Sequence, residues 1–425
     1  MKIGLLSEVV MPVAEEVNPQ AIDLGEVNEG MLDIEVAVAE GGEIQMQIET
    51  AEAAADTLED VAAPLEKANE AGEEVSEAAM EALNISIKHI LGSMGAKVDR
   101  AISTESFGVG KNKRVGLEGA IDTIKAWVKK ILAAIVNGFK RLVQWLKDTW
   151  AKLFNTEARL EKAIDALVKK IDANPKHYVK KDKEWPASSF LHVLPGITSP
   201  VNAKRDYKLS EIVSKFPSYT EKGSKELNDQ VKDLEKLSKL AGSVKLKESN
   251  AAVQQFKDMQ KGMAGQVQIG NTFFTVDSEV TDSGVMSTTI VVAEAKIDSG
   301  SNIVADKVQI SSFKPVLQSV KNSLKSGAEN KKTADEIMKS FDSLVRAAES
   351  ASKEIDNLKE DEKDTEANKQ IRENVNAMNS MASEMRKFTA RFFVTGQKVH
   401  IQSSVSMVSL ISSAVGGSGE EKKED

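Results

Sequence analysis

The chain has 425 residues and no cysteine, with 41% hydrophobic and 5% aromatic residues; it is long enough for two or three domains, and sparse large side chains favour extended helical structure over one thick core. The lack of cysteine excludes disulfides, thiolate metal sites and a cysteine nucleophile, and suits a reducing compartment. The net charge of −9 hides a break: through Glu105 there are 23 acids against 5 bases, a balance of −18, and beyond it 42 acids against 51 bases, a balance of +9. Such a block asymmetry marks an acidic arm on a basic body, and it bears on partners and solubility more than on fold.

The first residues, Met1 to Glu8, meet an acid before a signal-peptide core can form, so no targeting sequence is expected. Residues 1–46 show no sustained hydrophobic period and read as disordered or loosely extended. From Ile48 to Leu91 a thin, Ala-rich helical stripe appears (Ile48, Ala51, Ala55, Leu58, Ala62, Leu65), interrupted near Pro64 and Gly72. It buries little alone and calls for a partner. The stretch around 92–110, with Gly92, Gly95, Gly108 and Gly110, reads as an accessible connector open to proteolysis.

Leu117 to Phe154 is the most strongly patterned segment. Leu117, Ile121, Ile124, Val128, Ile131, Ile135, Phe139, Leu142, Leu146, Trp150 and Leu153 advance by threes and fours, with Lys125, Lys129, Lys130, Lys140, Arg141 and Lys147 at other positions. This is a basic amphipathic helix carrying three of the four tryptophans. A second helix over about Glu157 to Asp172, ending before Asn174-Pro175, is expected to pair with it as a hairpin.

Pro175 to Pro217 reads as an irregular basic connection, and 224–262 as helix. Three Val/Ile/Thr/Phe-rich runs, Gln266–Val276, Val285–Lys296 and Ile303–Ser312, separated by Asp-Ser-Gly turns, predict a small antiparallel meander. Helices follow at Val316–Ser326, Thr333–Leu358 and about Glu366–Ile411, the last with Val375, Met378, Met381, Met385, Phe388 and Phe392 on one face; Gly416–Asp425 reads as a disordered tail. The uncharged run Val399–Gly419 has seven serines and nine apolar residues, too polar to span a membrane. The expected fold is therefore mainly α: long amphipathic helices and helical hairpins, an inserted β meander, and a partly disordered acidic arm. Its divisions are 1–105, 106–174, 175–223, 224–312, 313–415 and 416–425.

Little points to catalysis. His89, His177, His192 and His400 are far apart in sequence and read as surface or connector residues. Gly108-Val109-Gly110-Lys111 resembles part of a phosphate loop, but the full spacing fails and no hydroxyl residue follows the lysine. No nucleophile elbow or calcium loop occurs. No catalytic residue, metal ligand or cofactor is assigned, and the chain does not read as an enzyme. The basic helix has three readings: a core helix with solvated lysines, a sequence-independent nucleic-acid contact, or an interfacial membrane helix.

Ser103-Thr104-Glu105, at the charge break, resembles the Ser-x-Glu site cut by the head-maturation protease of giant phiKZ-like tailed phages. Looser small-x-Glu triplets occur at Ala14-Glu15-Glu16, Gly41-Gly42-Glu43, Ala68-Asn69-Glu70 and Ala347-Ala348-Glu349, and an ordinary interdomain linker containing Ser-Thr-Glu is the competing reading. The following Ser106-Phe107-Gly108 and the Lys/Trp-rich helix are similar to the start of the mature part of their internal head proteins. The resemblance implies an acidic propeptide removed after Glu105, with Ser103, Thr104, Glu105 and Ser106 as the processing site. It also implies a basic body facing polyanion through Lys111, Lys113, Arg114, Lys125, Lys129, Lys130, Lys140 and Arg141. The implied setting is the virion head, reached through the host cytoplasm during assembly. The implied partners are the protease, other capsid or core proteins, and double-stranded DNA, with a membrane surface or a purely structural, uncut role as alternatives.

Overall fold

The computed structural model describes residues 24–71, 85, 92, 113–197, 204–242, 249–280, 286–356, 380–416 and 418–419. The chain divides into two compact units, Met1–Val38 with Lys147–Asp425, and Ala39–Leu146. Helices α1 (Gly25–Glu70) and α2 (Lys113–Ala173) each contribute to both.

α1 starts within the stretch expected to lack order. Val27, Met31, Ile34 and Ala37, and then Ile44, Ile48, Ala51, Leu58, Ala62 and Leu65, recur at helical spacing and are all buried. The stripe thus extends further towards the N-terminus than the charges between its members suggest. Gly41, Gly42 and Pro64 lie inside the helix without ending it; each glycine costs about 1 kcal/mol in helix propensity, less than the burial of one large aliphatic side chain returns.

α2 corrects a second expectation. Asn155, Thr156 and Glu157 remain helical, the Thr156 hydroxyl donating to the Lys152 carbonyl at 2.9 Å. The buried stripe runs on through Leu153, Leu160, Ile164, Leu167 and Ile171. One helix of 61 residues therefore replaces the hairpin expected within 106–174, and the partner of α2 is α1, antiparallel to it. In the first unit Arg159 Nη1 donates to the Glu26 carbonyl at 2.9 Å, and a Cβ at Gly30 would fall 2.4 Å from Thr156 Oγ1. In the second, a Cβ at Gly41 would fall 2.1 Å from the Trp145 ring and one at Gly138 2.5 Å from Ile48.

The rest of the first unit is built on α3 (Leu209–Gly242), α4 (Ser249–Gly262), α5 (Phe313–Asp356) and α6, which runs from residue 380 through a π-helical stretch, Phe388–Val394, to a regular segment, Thr395–Gly416. The described residues of the stretch expected as helix, 224–262, lie in α3 and α4, and α3 begins ahead of Pro217 and continues across it. The two helices expected between Val316 and Leu358 are one, with Pro315 in the first turn, where its missing N–H is no loss.

Strands occupy Tyr178–Val179 (β1), Glu184–Pro186 (β2), Tyr207–Lys208 (β3), Gly265–Ile269 (β4), Thr272–Val280 (β5), Met286–Glu294 (β6), Asn302–Val304 (β7) and Ser418–Gly419 (β8). β4, β5 and β6 form the antiparallel meander, but its first expected strand is itself a hairpin: Gly270-Asn271 makes a two-residue turn with Ile269 opposite Thr272 and Gly270 at φ +58°. The third expected strand leaves the meander. β7 lies between β2 and β3, Ile303 pairing with both Trp185 and Tyr207. The described parts of the connection after Pro175 thus carry strands, with Trp185, Val193, Leu194 and Tyr207 buried, and Ser418–Gly419 pairs with β1 where a disordered tail was expected.

α6 is buried all round rather than on one face. Met381, Met385, Phe388 and Phe392 are buried as expected, but so are Arg386, Phe393, Ile401, Met407 and Ile411; Val375 and Met378 fall outside the described residues. Such a helix is the core of its unit. Trp150 of α2 packs on Phe393 with ring centres 4.5 Å apart, and Phe274 of β5 packs on Phe392 at 4.8 Å.

Candidate nucleic-acid interface and processing site

The sequence-assigned residues fall into three groups. Ser103, Thr104, Glu105, Ser106 and Lys111 lie outside the described residues, in the connection from α1 to α2. Lys113 and Arg114 open α2, and Lys125 and Lys129 follow on the same helix, their side chains undescribed. Lys130, Lys140 and Arg141 are exposed, as their positions off the Ile121–Ile124–Ile131–Ile135–Leu142 stripe require. Arg141 Nη1 donates to Gln47 Oε1 of α1 at 3.0 Å.

The helix packed on α2 is strongly acidic. Between Gly25 and Glu70, α1 carries 13 acids and a single base, Lys67, whereas α2 carries 13 bases and 7 acids. Within the second unit, residues 39–70 hold 9 acids and 113–146 hold 7 bases. Apolar contact sets the register of this pair. Opposite charge along its flanks lowers the field that α2 presents to solution.

Two tryptophans of α2, Trp145 and Trp150, are not available to a lipid surface in this fold: they are 6% and 5% exposed. Among the described residues no helix is long and apolar enough to cross a membrane, and no group of three or more His, Asp or Glu is placed to hold a metal ion.

Titratable groups missed by sequence reasoning lie in the core of the first unit. His192 and His400, read from the sequence as surface or connector residues, are buried, and desolvation lowers each to a pKa of about 4, the positive Lys398 adding to the effect at His192. His400 Nε2 lies 2.5 Å from Ser323 Oγ, which is 3.0 Å from Ser224 Oγ. This Ser–His contact is buried on both sides and joins α6, α5 and α3, so its role is packing rather than nucleophilic chemistry. Glu157 is raised to about 8 by burial and by Glu161 one turn on. Glu384 Oε2 accepts from Gln260 Nε2 and from the Thr288 backbone N–H, both at 3.0 Å, while its Oε1 accepts from Lys387 at 2.8 Å. These contacts bind α4, β6 and α6 through one satisfied carboxylate.

Residues 21–408 match the family of phiKZ-like phage internal head proteins. The chain belongs to that family. The matched span includes both acidic α1 and basic α2 and runs into α6. No curated protein and no solved structure matches the chain. As a phiKZ-like internal head protein it is a structural component of the phage particle, placed inside the virion head among other capsid or core components.

Proposed function

We propose that this internal head protein is made as a charge-neutralised precursor. The acidic segment 1–105 accompanies a basic body into the assembling head; the maturation protease cuts after Glu105; and the body then packs against the genome or leaves with it. The protein has no catalytic role. The observation that carries this reading is the −18 to +9 break at Glu105, together with the packing of acidic α1 on basic α2. Covered, the cations are compensated. Uncovered, Lys130, Lys140 and Arg141, with Lys111, Lys113, Arg114, Lys125 and Lys129 in the same stretch of sequence, exchange counterions with phosphates without reading sequence. The membrane reading is less well supported, since it needs Trp145 and Trp150 to leave their packing.

The test compares double-stranded DNA binding by the full chain and by a chain lacking residues 1–105, across salt concentrations. The shortened chain is expected to bind with a log–log salt slope of about −0.9 for each phosphate neutralised, and the full chain far more weakly. Equal binding by the two would overturn the masking role of the arm, and vesicle binding by the shortened chain in place of DNA binding would favour the membrane reading.

A further inference from the structure

α1 is held by more than charge. Val27, Met31, Ile34 and Ala37 are buried in the first unit, and Ile44, Ile48, Ala51, Ala54, Leu58, Ala62 and Leu65 in the second. The facing side chains lie so close that no Cβ fits at Gly30 against Thr156, at Gly41 against Trp145, or at Gly138 against Ile48. Glu26 and Gln47 accept hydrogen bonds from Arg159 and Arg141 at 2.9 and 3.0 Å, and Glu35 lies 3.5 Å from Lys398. None of these contacts involves the connection that contains Glu105.

We infer that cutting the connection does not release the arm: α1 stays on α2 as a separate chain, and the mature product of a single cut is a two-chain protein. Severing the connection removes only the effective concentration it supplied, and leaves the buried helix face and the opposed charges in place. Exposure of the basic face is then a second event, separate from peptide-bond cleavage, that must lift α1 away. The inference deepens the precursor reading above and rests on it.

The test replaces Ser103–Ser106 in the full chain with the recognition sequence of a specific protease, cuts to completion, and passes the product over a sizing column at about 0.15 M salt, where exposed charge pairs are largely screened. Both pieces are expected in one peak with the mass of the uncut chain. Separation of the pieces, or precipitation of the body without the arm, would overturn the inference. In the same format Gly41→Leu is expected to weaken arm retention by at least about tenfold, and Gly42→Leu to leave it within about twofold, because only the first position is closed by Trp145. Equal retention by the two variants would count against the helix pair as the holding contact. If uncut Gly41→Leu does not fold, the cut parent chain still decides the matter. The cut is made in vitro, so failure here is distinct from an absence of processing in the head.

Discussion

A methyl group added at Gly41 would lie 2.1 Å from the Trp145 ring, while one added at Gly42 meets nothing within 4 Å. Gly41→Ala is therefore expected to cost about 2 kcal/mol or more through overpacking, and Gly42→Ala to gain up to about 1 kcal/mol from helix propensity; urea denaturation of the two variants measures both. Glu157 gives a pH signature. Its ordinary value is 4.5 and its folded value about 8, so between those values the unfolded chain gives up a proton that the folded chain keeps. Stability from this residue is intact below pH 4.5 and declines as pH rises towards 8. Glu157→Gln should thus stabilise the protein at pH 8 by on the order of 3 kcal/mol and have little effect below pH 4.5, as denaturation at the two pH values would show. His192 and His400 act in the opposite sense: unfolded histidine protonates below about 6.5, the folded residues only near 4, and the burial of both weakens the fold as pH falls through that window.

Among the elements, β6 shows how a buried charge can complete a sheet edge. The Thr288 N–H points away from β5 and is met by Glu384 of α6, which also holds Gln260. Glu384→Ala leaves the Thr288 N–H without its acceptor and Gln260 Nε2 with the Thr288 hydroxyl alone, and an expected loss of about 3 kcal/mol in equilibrium unfolding follows. The apolar periodicity of α2 was legible because its stripe is wide and bulky. That of α1 was only half legible: between Gly25 and Ile48 the buried positions Val27, Met31, Ile34, Ala37 and Ile44 are interleaved with acids and glycines, and charge obscures the period. Charge complementarity of α1 and α2, together with Gly30, Gly41 and Gly138, was the available signal for their pairing. The break expected at Glu157 failed because the apolar stripe continues through it. The strand order β2-β7-β3 joins residues about a hundred positions apart, and Gly270-Asn271 was a hairpin turn in plain view that an unbroken apolar run concealed. Burial of His192 and His400 depends on long-range packing that periodicity does not carry.

At the scale of the molecule, the charge break and the family of internal head proteins were readable from residues around 100–154, and the match over residues 21–408 supplies the breadth that those motifs lacked. What the sequence left open was the state of the arm. Read as a loose appendage, it would fall away on cleavage; packed as α1, with Val27 to Leu65 burying one face, it is expected to stay until something displaces it. The central claim is that the precursor is cut at Glu105, and N-terminal sequencing with intact-mass analysis of the protein from purified phage heads tests it most directly. A basic chain beginning at Ser106 is the result the account requires, with or without the arm alongside. A single uncut chain that still joins α1 to α2 would contradict it.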